Sequence, residues 1–189
     1  MEYQRLMRPA RPATFVGMSE STASHRSDAN ARKPVNCAVL TVSDSRTEAT
    51  DESGNLMCRL IEAEGHVVTN RALLKNDELA VRERVQLLAG RADVDAVLIT
   101  GGTGLGSRDR TVEAVRPLFE KELPGFGEIF RMVSFNEQVG TAAILSRAVA
   151  GSVNGKLIVS MPGSKAAVEL ALTRVLLPEL GHAIRELRR

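Results

Sequence analysis

The chain has 189 residues, with 25 Lys and Arg against 23 Asp and Glu, and its aromatics are five Phe and one Tyr. Residues 1–35 hold six of the basic and three of the acidic residues, leaving 19 against 20 elsewhere, so the body of the protein is not a basic nucleic-acid-binding surface. Tyr3 and Phe15 fall in the same opening stretch; no stacking platform for single strands remains, and no run of about 18 apolar residues offers a membrane span.

Residues 1–34 mix Arg, Pro, Ser, Thr and Ala without periodicity and end at Pro34, the composition of a flexible leader. They lack an apolar stretch of about 7–15 residues, so no secretory signal is expected. One domain is expected over residues 35–189. It opens with Cys37-Ala38-Val39-Leu40-Thr41-Val42, a continuous apolar run of the kind a buried parallel strand produces. Leu56, Met57, Leu60 and Ile61 then recur at helical spacing, with Gly65 placed to end the helix. Val67 to Leu74 reads as a second strand, and Asn76 or Asp77 opens a helix whose Val81, Val85 and Leu88 share a face. Val94 to Thr100 is the third strand. The spacing of Val112, Val115 and Phe119 predicts a helix over 111–121 despite Pro117, and Pro124 starts another carrying Phe126, Ile129, Phe130 and Val133. Leu157 to Ser160 is a further strand, followed through Pro162-Gly163 by a helix from Ser164 to about Leu177 that Pro178 is expected to stop. Strands and helices alternate, which predicts a three-layer α/β domain with a mostly parallel sheet and right-handed crossovers.

In such sheets ligands bind beyond the carboxyl ends of the strands. The first strand ends in Ser43-Asp44, the third runs into Gly101-Gly102-Thr103-Gly104-Leu105-Gly106, and the Leu157 strand ends in Met161-Pro162-Gly163-Ser164. Uncovered backbone amides, hydroxyls and a helix start suit a phosphate. Gly163 alone fits either a tight turn or a ligand site. The Gly101–Gly106 cluster holds more glycine than one turn requires, and glycine carries an entropic cost where positive φ is not needed.

Two familiar glycine signatures fail here on spacing. A dinucleotide fingerprint laid on Gly102 and Gly104 meets Ser107 where it needs glycine, and Gly151 to Gly155-Lys156 is one residue short of a phosphate loop and runs into Leu157. Asp44, Asp51, Asp77 and Asp109 fall after strands or at helix starts on one edge of the sheet, and Asp51, just before Ser53, reads as a helix cap. Asp109 lies between Arg108 and Arg110, directly after the glycine loop. A carboxylate there would repel a bare phosphate, which makes sense if Mg²⁺ bridges the two. His25, His66 and His182 are scattered and beside neither cysteine, so a metal would have oxygen ligands. Cys37 and Cys58 read as small core residues of a reduced, cytoplasmic protein.

Val42-Ser43-Asp44, Asp51-Glu52-Ser53-Gly54, Thr100-Gly101-Gly102-Thr103-Gly104, Arg108-Asp109-x-Thr111, Pro124-Gly125-Phe126-Gly127-Glu128, Ser146-Arg147 and Met161-Pro162-Gly163-Ser164, in that order, resemble the MoaB/Mog family of molybdenum-cofactor biosynthesis proteins over about residues 35–181. The resemblance implies the MogA/MoaB-like fold and assembly into a homotrimer or hexamer. It also implies molybdopterin as ligand and, in catalytic members, Mg²⁺- and ATP-dependent adenylyl transfer to the pterin's terminal phosphate. The family's catalytic and metal-holding aspartates would fall on Asp77 and Asp109, and its binding residues on Ser43, Asp44, Gly101, Gly102, Thr103, Gly104 and Ser164. Lys165 departs from the proline that many relatives carry. A non-catalytic molybdopterin carrier or scaffold, passing the precursor between other enzymes of the pathway, is the alternative expectation. The phenylalanines gathered at 119–135 fit either core packing or a subunit interface.

Overall fold

The computed structural model describes residues 34–189; the expected leader, Pro34 apart, lies outside the described residues. In chain order the elements are β1 (Asn36–Val42), α1 (Glu52–Ala63), β2 (Val67–Leu74), α2 (Glu78–Ala89), β3 (Ala96–Thr100), α3 (Thr111–Val115), β4 (Lys121–Glu122), α4 (Pro124–Ser134), β5 (Val149–Val153), β6 (Lys156–Met161), α5 (Lys165–Leu170) and α6 (Leu177–Leu187). Asp51 and Asp77 start α1 and α2 by accepting from the Gly54 and Ala80 amides at 2.9 and 2.8 Å, filling donors the first turn leaves open. After α1 the chain turns at Gly65, whose φ of +78° lies in the left-handed region that favours glycine.

The six strands form one sheet in the order β2-β1-β3-β6-β5-β4, the first four parallel and the last two antiparallel to their neighbours. Each central strand is buried on both faces, and its alternate side chains divide between two cores. Cys37 and Val39 of β1, Leu98 of β3 and Val159 of β6 pack with Met57 and Ile61 of α1, Phe130 of α4 and Leu180 of α6. Leu40, Val97, Ile99 and Ile158 pack on the other face with Val81, Val85 and Leu88 of α2 and Val115 of α3. This is the three-layer α/β arrangement that the alternating pattern predicts.

Two expectations need correction. The helix at 111–121 ends at Val115; Pro117 sits in a single 3₁₀ turn over Arg116–Leu118, and Lys121 belongs to β4. A proline ring in a continuing α-helix would meet the carbonyl one turn back, so the chain tightens and leaves. Pro178 does not stop its helix. The chain widens into a π-helical stretch at Ala171–Leu176, and Pro178 falls in the first turn of α6, a position whose φ the proline ring already matches. The Gly151–Lys156 stretch, which fails as a phosphate loop on spacing, belongs to a β-hairpin whose strand β5 is not among the elements expected from the sequence, with Asn154 and Gly155 at φ of 50° and 68° between β5 and β6.

Candidate functional site

β1 pairs with β2 on one side and β3 on the other, and the chain leaves β1 for α1 on one face and β3 for α3 on the opposite face, which opens a crevice beyond the carboxyl ends of β1 and β3. A cleft of about 1290 Å³ occupies that position. Ser43, Asp44, Gly101, Gly102, Thr103, Gly104, Asp109, Gly163 and Ser164 all line it. Asp77 does not. Its carboxylate caps α2, and its neighbour Asn76 faces the cleft instead.

The glycine loop is shaped by close approach. Gly101 has φ +98°, and a Cβ there would lie 2.1 Å from the Val42 carbonyl oxygen; a Cβ on Gly102 would lie 2.2 Å from Thr111 Oγ1 and 2.6 Å from Asn76 Oδ1. The Gly101 amide extends the sheet by donating to Met161 O at 3.0 Å, and Gly102 O accepts from Thr111 N at 3.0 Å. Asp109 folds back beneath the loop, accepting from the Gly106 amide at 3.1 Å. Gly163, open between turn and ligand site from sequence, serves the docking of loops: its carbonyl accepts from Ser53 Oγ at 2.8 Å and Arg46 Nη2 at 3.0 Å.

Charge is arranged across the mouth. Asp44 accepts from the Asn76 amide at 3.0 Å, and Arg108, itself 83% exposed, reaches to 3.8 Å from its carboxylate. The Asn76 hydrogen bonds first, then Arg108 and Lys75, hold the Asp44 carboxyl below its ordinary range. Asn76 Oδ1 and Thr111 Oγ1 are buried here without a hydrogen-bond partner. Phe130, Val139, Ala143 and Leu145 give the same cleft an apolar wall. At α5, Ser164 is extended and caps the helix through the Ala167 amide at 3.2 Å, and Lys165 takes the first helical position that proline suits, reaching Glu52 at 3.4 Å. The departure from proline therefore leaves that turn intact.

Four further contributors were given no role by the sequence, although Ser53 and Arg147 stand in motifs of the resemblance and Asn76 was a candidate helix start. Arg46 and Ser53 tie the β1 exit to Gly163, and Asn76 faces the loop from the end of β2. Arg147 donates to Thr103 O and Asp109 O and pairs with Glu113. Among the described residues no three His, Cys, Asp or Glu side chains gather as a metal cage. The cleft's own donors, the Asp44 and Asp109 carboxylates and the Asn76 amide oxygen, are all oxygens. They match Mg²⁺, which takes one or two carboxylates and is completed by substrate phosphates.

Fold and cleft together define an α/β protein with a candidate site at the point where strand order reverses, floored by a glycine loop. Residues 38–182 match the family described as "Probable molybdopterin binding domain". A molybdenum cofactor biosynthesis protein B from Halalkalibacterium halodurans is 54% identical over 167 residues, covering 88% of this chain and 97% of that protein. A crystal structure of a molybdenum cofactor biosynthesis protein B superposes with TM-score 0.81 at 48% identity, covering 83% of this chain and 98% of that one. The tungsten cofactor synthesizing protein MoaB from Pyrococcus furiosus superposes with TM-score 0.75 at 34% identity, over 84% and 99% of the two chains. The chain belongs to the MoaB/Mog family of molybdenum cofactor biosynthesis proteins.

Proposed function

We propose that the protein is a molybdopterin adenylyltransferase dependent on Mg²⁺ and ATP. In this reading an oxygen of the pterin's terminal phosphate attacks the α-phosphorus of ATP. The new P–O bond forms as the bond to the β-phosphate bridge breaks, and pyrophosphate leaves. The observation that carries the reading is Asp109 lodged against the glycine loop, which with Asp44 sets carboxylates beside a loop suited to phosphate. Such a pairing is productive when a divalent cation joins the two, and Mg²⁺, when bound, supplies neutralisation of the phosphate charge. Asp109, with the Asp44 carboxylate and the Asn76 amide oxygen of the same cleft, would hold the metal, and Asp77 would join from the adjoining start of α2 through the carboxylate oxygen that does not cap the helix. The Gly102–Gly104 backbone would align the nucleotide phosphates, and the Ser43–Asp44 and Gly163–Ser164 turns the pterin phosphate. The apolar wall of Phe130, Val139 and Leu145 suits a planar ring.

The test is pyrophosphate release and adenylylated pterin from ATP and molybdopterin. Asp109→Asn should lower kcat about 100-fold or more, the scale on which aligned charge acts, with molybdopterin still bound. Full turnover in that variant would remove the metal role.

One observation favours a second reading. Asp77 caps α2 and does not line the cleft, so only one of the two expected aspartates faces the ligand space. That suits a non-catalytic carrier holding molybdopterin for other enzymes of the pathway. Calorimetry separates the two: Mg²⁺-dependent ATP binding supports the transferase, and molybdopterin binding without it supports the carrier. The same reading includes a homotrimer or hexamer, supported by the apolar side chains exposed along α4 and the segment after it.

A further inference from the structure

We propose that Arg147 is a positioning residue for the adenylyl-transfer site, holding both ends of the glycine loop in one guanidinium fork. The proposal deepens the transferase reading and rests on it for the loop's role. Arg147 lies just before β5, away from the loop in sequence. Its Nε donates to Thr103 O at 3.2 Å and its Nη2 to Asp109 O at 2.9 Å. The other face of the fork meets the Glu113 carboxylate of α3, Nη1 to Oε1 and Nη2 to Oε2. One planar group thus spans the residue where the loop leaves the sheet edge and the residue that carries the candidate metal-holding carboxylate.

Between those two ties the loop arches outward, with Leu105 72% exposed. Its inner bonds are Asp109 N to Gly106 O at 2.9 Å and Gly106 N to Asp109 Oδ2 at 3.1 Å. Both bonds set the arch against Asp109, so the position of the whole arch follows that of Asp109. The Asp109 backbone is held by Arg147. Glu113 sets the plane of the guanidinium, and the Arg147 hydrogen bond in turn keeps the Glu113 carboxyl below its ordinary range. Lysine at 147 would keep the charge but not the fork, because one ammonium cannot meet two carbonyls and a bidentate carboxylate in a fixed plane.

The experiment uses the full chain without ligand and with ATP and molybdopterin, in Arg147→Lys and Glu113→Gln. In the ligand-free protein, hydrogen exchange should accelerate about tenfold or more at the loop amides of residues 104–109, while the β1 and β3 amides and the thermal midpoint stay near wild type. In turnover, kcat should fall about tenfold or more in Arg147→Lys with KM for molybdopterin within about twofold, since the pterin contacts lie on the other turns. Glu113→Gln should show the same pattern more weakly, because a glutamine oxygen still accepts from the fork. Loop exchange at the wild-type rate, or an increase spread evenly over the sheet, overturns the proposal. If Arg147→Lys fails to fold, loop exchange in Glu113→Gln decides it by the same criterion. A wild-type protein without turnover whose loop loosens in the variants removes the transferase reading and leaves the positioning role standing.

Discussion

Asp51, only 1% exposed, takes three donors at once: the Gly54 amide at 2.9 Å, the Thr41 hydroxyl at 2.8 Å and Arg71 at 3.0 Å. Asp51→Ala removes a helix cap worth about 0.5–2 kcal/mol and orphans a buried hydroxyl at about 1–3 kcal/mol. Urea unfolding should therefore show a loss of about 2–4 kcal/mol. Burial pushes the Asp51 carboxyl up, but the three bonds outweigh it and hold the folded group below its ordinary value of 3.8. The unfolded chain binds the proton first as pH falls, so this contribution is full above that value and is lost below it; Asp51→Asn should flatten the acid limb of the stability curve. Two glycines separate strain from collision. Gly65→Ala meets nothing within 4 Å and should cost about 1 kcal/mol for its positive φ, whereas Gly101→Ala drives a methyl into the Val42 carbonyl and should cost severalfold more. Asp51 as a cap, and the glycine loop as the floor of the cleft, are readable in the sequence because cap and loop are local. The ties of Arg46 to Gly163 and of Arg147 to Thr103 are not: they span 117 and 44 residues, and only the closed sheet brings those partners together, even though Ser146-Arg147 stands out as a motif.

Elements read well where one period dominates. β1 and β2 emerge within a residue of their apolar runs, and α2 shows its face through Val81, Val85 and Leu88, each fully buried. The failures lie at prolines and at the hairpin. Pro117 and Pro178 look alike in sequence, yet one follows a five-residue helix and the other a π-helical stretch that absorbs it. β5 was not read from the sequence: Val149–Val153 is short and glycine-containing, so a period cannot reveal it, and the one local signal, the Asn154-Gly155 pair that favours a tight hairpin turn, was not used. Asn154→Ala should lower stability by about 1–2 kcal/mol, because alanine pays for a left-handed φ that asparagine tolerates. The start of the β1–β2 ladder carries a pH dependence. The Val35 amide donates to His66 Nδ1 at 3.2 Å, and burial lowers the His66 pKa below 6.5. The unfolded chain again binds the proton first, so the stabilisation is full above that value and is lost as pH falls through the folded pKa. Between about pH 7 and pH 5 the urea midpoint should drop in wild type and drop less in His66→Gln.

At the scale of the whole molecule, two sets of apolar side chains on the same stretch go opposite ways. Phe126 and Phe130 turn inward and stack with ring centroids 6.3 Å apart, filling the core beneath α4. Ile129, Met132, Phe135, Val139, Ile144 and Leu145 are exposed, Phe135 to 51% and Ile144 to 78%. The sequence left the phenylalanine cluster open between core and interface, and the structure divides it, because a helix laid on a sheet can bury only one side. A strip of this kind, continuous with the wall of the cleft through Val139 and Leu145, suits burial against further copies of the chain. Light scattering at micromolar concentration should then give a trimer or hexamer. Phe135→Glu should shift the mass toward monomer while far-ultraviolet circular dichroism stays unchanged, since Phe135 lies outside both cores. A wild-type monomer would count against assembly through this strip. An assembled Phe135→Glu protein of wild-type mass would move the interface elsewhere on the surface. Because Val139 and Leu145 line the cleft as well as the strip, dissociation should also weaken molybdopterin binding, and a titration of Phe135→Glu against wild type reads that coupling directly.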